Sequence, residues 1–208
     1  MKVTLINHLG PEELIIESAR MSSGKGFLGW DTDQRLLEYL WKNNHHTPFE
    51  MCGATFEIYA PIFVARQWMR HRSASYNELS GRYVEMPDEF YSPDIWKAQD
   101  TKDKQASAGA VREQAACDAA YNQALESCRV AYRALLNIGV SREQARMILP
   151  VSQYTRFRAS ANLRNWLHFL TLRCDSHAQD EIRWCAEEIR DSLQKLFPRT
   201  LNLWKTST

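Results

Sequence analysis

Apolar and polar positions alternate over Cys52–Ala60: Ala54, Phe56, Ile58 and Ala60 share one face, Thr55, Glu57 and Tyr59 the other. A period of two predicts a strand with one buried face. A shorter alternation, Val3 and Leu5 against Lys2 and Thr4, predicts a strand over Met1–His8, and Val151–Ser160 is also strand-like. Elsewhere the period lengthens to that of a helix. Leu36, Leu37, Leu40 and Trp41 line one face of a helix that ends near Asn43-Asn44. Ile62, Ala65, Trp68 and Met69 line another, starting at Pro61 and reaching His71-Arg72, and Leu163, Trp166, Leu167 and Leu170 a third over Asn162–Arg173. Ile182, Cys185, Ile189, Leu193 and Leu196 stripe the last long helix. From Asp103 to about Asn137 runs one long alanine-rich pattern in which Tyr121, Leu125, Cys128, Tyr132 and Leu135 recur at four-three spacing. That spacing suits a helix packed along another helix, in the core or at a subunit interface.

Punctuation supports these elements. Pro11 opens a helix to about Arg20, with Glu12 and Glu13 in its first turn, and Gly139 closes the long helix. Asp31 with Gln34, Ser141 with Gln144 and Ser176 with Gln179 have the spacing of capping boxes. The expected class is α/β (α+β), a mixed β-sheet flanked by long helices. At 208 residues, with no Pro/Gly/Ser-rich linker, the chain is expected to form one domain over 1–208.

Hydrophobic residues make 44% of the chain and charged residues 25%, a balance that can bury a full core. The formal net charge of +1 makes any basic cluster local, which argues against a nucleic-acid footprint. The five cysteines contain no C-x-x-C pair and read as reduced thiols. With no charged-then-apolar leader and no membrane-length apolar run, a soluble cytoplasmic protein with no membrane partner is expected.

Gly24-Lys-Gly-Phe-Leu-Gly29 matches G-x-G-x-x-G, but a helix precedes it where a dinucleotide fingerprint needs a strand, so it reads as a loop. His45 and His46 are adjacent, which is not the spacing of a helical metal pair. The unusual stretch is Arg66–Tyr83. Its eighteen residues hold four arginines, a histidine, Glu78, three serines and the Ser80-Gly81 pair. Clustered guanidinium forks suit a phosphorylated ligand, and free amides in a turn would add donors. Arg66 and Arg70, four apart on a helix, would face one anion. A solvated basic face is the bland alternative, and a phosphate-gripping, base-stacking nucleic-acid module is the rival of another class. Ser80 has no histidine–carboxylate relay beside it in sequence, so binding is favoured over nucleophilic catalysis.

At Arg70-His-Arg72 followed by seven residues and Ser80, the sequence resembles the signature of the flavin-dependent thymidylate synthases. Thr47-Pro-Phe-Glu50, Pro61–Trp68, Ala145-Arg146 before Leu149-Pro150, Tyr154-Thr-Arg-Phe157 and Leu172–Gln179 resemble that family in the same order, over about residues 30 to 197. Two positions depart from its pattern: Met51, where many relatives carry histidine, and Cys174, where alanine is common. The resemblance implies reductive methylation of dUMP to dTMP, with 5,10-methylenetetrahydrofolate as carbon donor and NADPH-reduced FAD as hydride donor. It implies that the nucleotide's phosphate end meets Gln67, Arg70, Arg82 and Arg146 with the backbone around Glu78, Leu79, Ser80 and Gly81. FAD would meet Thr47, Arg70, His71, Arg72, Glu78, Asn162, Leu163, Arg164 and His168, while Arg173 would contact uracil as the catalytic residue. It also implies a homotetramer with active sites at subunit interfaces; from the spacing of the histidines, no metal is expected.

Overall fold

The period-two segment forms β2 (Gly53–Pro61), with Ala54, Phe56, Ile58 and Ala60 buried to 4% exposure or less. The computed structural model describes residues 1–101 and 107–207. The other strands are β1 (Lys2–Leu9), β3 (Ser75–Glu78), β4 (Lys97–Gln99), β5 (Ser107–Ala110) and β6 (Tyr154–Asn162). The helices are α1 (Glu13–Arg20), α2 (Trp30–Lys42), α3 (Ile62–Trp68), α4 (Gln114–Ile138), α5 (Arg142–Ala145), α6 (Leu163–Arg173), α7 (Asp180–Leu196) and α8 (Pro198–Ser207). Four strands form a sheet in the order β1-β2-β6-β3, and β4 pairs antiparallel with β5. Leu163 N–H donates to Cys52 O at one end of the central pair and Ile62 N–H to Gln153 O at the other, so β2 and β6 run antiparallel. The expected α+β class is the one found.

Contacts divide the chain into two compact units, one of Met1, Tyr59–Trp68 and Glu78–Phe157, the other of Lys2–Ile58, Met69–Asn77 and Arg158–Thr208. In the second, α6 packs on α7, and α7 on α8 and β1. Its core joins the inner face of β2 to the α6 stripe: Phe56 meets Trp166 edge-on at 5.2 Å, and the buried Trp166 indole donates to Ala54 O at 2.9 Å. That bond satisfies the one polar atom of a large apolar side chain. In the first unit Trp68 and Phe157 meet edge-on at 5.3 Å, while α4 packs against α5.

Several local expectations fail. The long helix does not continue back to Asp103: residues 103–106 lie outside those described, Ser107–Ala110 is a strand, and α4 begins at Gln114. None of the three capping boxes forms. Gly29 precedes α2, and neither Ser141 nor Gln179 makes a side-chain cap. The buried Asp33 does related work instead, accepting from Leu28 N–H and pairing with Arg20. The cap that does form is Asn162, whose Oδ1 accepts from Asn165 N–H at 2.9 Å. Helix α3 stops at Trp68, so Arg70 lies beyond it and the expected helical pairing of Arg66 with Arg70 is lost. Helix α8 was not expected. It starts on the buried Glu12, whose carboxylate accepts from Arg199 N–H and Thr200 N–H. Among the described residues, no helix is long and apolar enough to cross a membrane.

Candidate active site

The Arg66–Tyr83 stretch splits between the two units: 69–77 belongs with α6, whereas Glu78–Tyr83 belongs with α4, α5 and the start of β6. In the latter unit, Glu78 Oε1 accepts from Thr155 Oγ1 at 2.7 Å, and Leu79 N–H donates to Arg156 O at 2.8 Å. The Leu79 amide is therefore committed to the sheet and is not a free phosphate donor. A turn follows in which Tyr83 and Val84 N–H both donate to Ser80 O, and Arg82 N–H to Ser80 Oγ. The amides of Ser80 and Gly81 remain without a partner among the described residues. A Cβ on the buried Gly81 would sit 3.0 Å from Met86 Sδ and 3.1 Å from Arg146 Cδ. Glycine thus allows the Arg146 stem to lie against this turn. Arg82 Nε donates to Glu143 Oε2 at 3.0 Å, a pair more than half exposed on both sides. Ser80, Gly81, Arg82 and Arg146 are brought together; Gln67, on α3 of the same unit, has partners of its own.

The other unit gathers Thr47, His71, Arg72, Asn162, Leu163, Arg164, His168 and Arg173 with Arg70. Arg173, half-buried at the C-terminal end of α6, donates from Nε to His71 Nε2 at 2.9 Å. His71 packs edge-on to Phe169 at 4.8 Å, and Tyr76 Oη donates to its carbonyl at 2.9 Å. Phe169 and Arg173 are four apart, so one face of α6 holds the imidazole by both contacts. Burial, then the Arg173 and His168 charges, pushes the His71 pKa down to about 4. Burial also lowers the Arg173 pKa, though a guanidinium remains charged at neutral pH. Arg164 is exposed and pairs with Glu50 Oε1 at 2.7 Å. Nearby, burial and the Arg164 charge lower the His46 pKa, against the Glu50 charge. Leu163 is fully buried with its amide given to Cys52 O, so its side chain belongs to the core. Arg70 and Arg72 are exposed and have no ion-pair partner among the described residues.

Thr47 lies in a 3₁₀ turn, Thr47–Met51, on the wall of an open cleft of about 640 Å³. Met21, Leu40, Pro48 and Met51 give the cleft apolar surface, and His45 and His46 line it as well. Sequence reading missed two residues that the geometry adds. Glu50 is the partner of Arg164, and the carbonyl of exposed Arg156 joins the Leu79 backbone to β6. Both lie in quoted motifs, Thr47-Pro-Phe-Glu50 and Tyr154-Thr-Arg-Phe157, but local spacing gives no hint of partners 114 and 77 residues away. The thiols of Cys52, Cys174 and Cys185 are pushed up by burial to about 12, 11 and 12, so none is a thiolate at neutral pH.

Residues 4–199 match the family described as thymidylate synthase complementing protein. The chain is 43% identical over 196 residues to a flavin-dependent thymidylate synthase of Thermus thermophilus, covering 94% of this chain and 72% of the relative. It is 40% identical to that of Pseudothermotoga lettingae, covering 95% and 87%. Its fold is similar to a crystal structure of the UMP/dUMP methylase PolB from Streptomyces cacaoi bound with 5-Br dUMP, with TM-score 0.90, 32% identity and coverage of 99% and 94%. Matched over nearly its whole length by family and fold alike, the chain belongs to the flavin-dependent thymidylate synthase family.

Proposed function

We propose that this chain, as one domain over 1–208, converts dUMP to dTMP in the cytoplasm, taking its carbon from 5,10-methylenetetrahydrofolate and its reducing equivalents from NADPH through bound FAD. The observation that carries this reading is Arg173, a half-buried guanidinium tied at Nε to His71. Its Nη nitrogens have no partner among the described residues. Such an edge suits O4 and the ionised N3 of a uracil ring, both of which accept. A fixed cation there stabilises negative charge on the ring and raises electron density at C5, making C5 the nucleophile toward the one-carbon unit. The raised thiol pKa values of Cys52, Cys174 and Cys185 agree with a route that needs no thiolate attack at C6.

The donors fit the substrates and the cofactor. The Ser80 and Gly81 amides with Arg82 and Arg146 provide two N–H groups and two guanidinium forks for the phosphate of dUMP. Arg70 and Arg72, exposed and without ion-pair partners among the described residues, match the charge of the FAD diphosphate, with His71, Glu78, Asn162, Leu163, Arg164 and His168 as further contacts. The apolar cleft beside Thr47 offers surface of the kind flat ring systems occupy. When bound, reduced FAD supplies the hydride that completes the methyl group. The α4 stripe supports assembly as a homotetramer: Tyr121, Leu125, Cys128 and Leu135 stay half-exposed in the isolated chain and Val130 is 57% exposed.

The test is thymidylate formation by the purified protein with dUMP, methylenetetrahydrofolate, NADPH and FAD, omitting each in turn. Product is expected from the complete mixture, and not when dUMP, methylenetetrahydrofolate or NADPH is omitted or when FAD is withheld from flavin-stripped protein. Failure of the complete mixture, or product formed equally well by flavin-stripped protein, ends the reading.

A further inference from the structure

Arg173 reaches His71 across 102 residues of chain, and the chemistry of that contact assigns a state to the imidazole. A guanidinium Nε–H can only donate, so His71 Nε2 must hold a lone pair, and in a neutral ring the proton then sits on Nδ1. A protonated ring would have no lone pair there and would place a second positive charge 2.9 Å from the first. The surroundings enforce neutrality. Burial first, then the charges of Arg173 and His168, both on α6, pushes its pKa down to about 4.

The imidazole is itself fixed. Phe169 meets it edge-on, Tyr76 Oη holds its carbonyl, and Asn165 Nδ2 donates to Ser73 O two residues on. The side chain of an arginine at a helix C-terminus would otherwise sample many rotamers, since no other hydrogen bond holds it among the described residues.

We propose that His71 is a positioning residue for Arg173, its Nε2 accepting from Arg173 Nε so that the guanidinium is held in one orientation with both Nη groups left to the substrate. This rests on the reading that Arg173 contacts the pyrimidine. Oriented donors need no reorganisation when charge develops on the ring. A misplacement on the order of 1 Å in such a group costs on the order of a hundredfold in rate.

The variants are His71→Gln, His71→Leu and Arg173→Lys, prepared as full chains and normalised to flavin bound per chain. Glutamine keeps an acceptor oxygen, leucine has none, and lysine lacks Nε. Per bound flavin, His71→Leu is expected to lower kcat by about 10- to 100-fold and His71→Gln by no more than about fivefold. In the Arg173→Lys background, His71→Leu is expected to cause little further loss, because the coupling is already gone. Equal impairment of the leucine and glutamine variants, or losses that multiply fully in the double variant, would overturn the proposal and leave His71 as a flavin contact only. Imidazole ¹⁵N NMR of the wild-type protein at pH 6 gives a readout independent of turnover. An unprotonated Nε2 and protonated Nδ1 are expected, and a protonated Nε2 would overturn the assignment. If the complete reaction mixture makes no thymidylate, the proposed function fails, while the ¹⁵N signature still decides the His71–Arg173 pairing.

Discussion

The pKa of His71 makes stability respond to pH in a calculable way. Its ordinary value is 6.5 and its folded value about 4, so between those limits the unfolded chain binds more protons than the native one. Stability from this group is fully present above pH 6.5 and is lost as pH falls toward 4. The span is about 2.5 pH units, which at 1.36 kcal/mol per unit sets an upper limit near 3.4 kcal/mol. Because the ring is only half-buried, solvent screening reduces this to about 1–2 kcal/mol. Roughly 1 kcal/mol of it should disappear between pH 7.5 and 5, where the free imidazole is mostly protonated and the native one is not. The assay is urea unfolding of wild type and His71→Gln at those two pH values and one protein concentration. Other titrating groups are common to both proteins, so the wild type should lose about 1 kcal/mol more than the variant on acidification. Parallel pH profiles, or an NMR titration of His71 centred near 6.5, would refute the neutral, Arg173-paired imidazole.

Gly81→Ala should leave the fold nearly intact, because Met86 Sδ and Arg146 Cδ belong to flexible side chains, yet shift the Arg146 stem by a few tenths of an ångström and weaken dUMP binding by about three- to tenfold; an unchanged dUMP dissociation constant contradicts the phosphate role. Arg82→Ala should likewise weaken nucleotide binding, and its stability by less than about 1 kcal/mol, since the pair it loses with Glu143 is exposed; calorimetric titration and urea unfolding measure the two. Arg173→Ala should retain yellow, flavin-bound protein and abolish methyl transfer; near-normal thymidylate formation is the adverse result. Trp166→Leu should cost about 2–4 kcal/mol, because a cavity opens against Phe56 and Ala54 O loses its donor; urea midpoints check it. Glu12→Ala should cost about 1–2 kcal/mol by stranding the Arg199 and Thr200 amides at the start of α8, which amide exchange at those two residues would report.

Elements that bury one face against a core were legible because burial imposes the period. Residues 54, 56, 58 and 60 are inward in β2, Leu163, Trp166, Leu167 and Leu170 in α6, and Ile182, Cys185, Ile189 and Leu193 in α7. Elements defined by their partners were not. Ser75–Glu78 is polar and largely exposed, and becomes a strand only because β6, some eighty residues away, supplies its ladder. Ser107–Ala110 read as helix on alanine content, but pairing with Lys97–Gln99 decides its conformation. The Asp31–Gln34 box does not form because Asp31 lies inside α2, while Gln34 bonds Glu38 on the same helix and Arg199 on α8 rather than the start of α2.

The site divides along the same line. Residue identity announced the arginines, since guanidinium groups spaced through Arg66–Tyr83 have no packing role to explain them. What each can do depends on its partner. Arg82 and Arg164 face Glu143 and Glu50 in exposed pairs, so an anion can replace either carboxylate at little cost. Arg173 faces a neutral acceptor instead. A carboxylate in the place of His71 would cancel its charge and leave little field for a substrate ring, whereas an imidazole takes one N–H and leaves the full positive charge. The Arg-His-Arg run therefore contributes more than cations. Its middle residue lets a distant arginine be held without being neutralised.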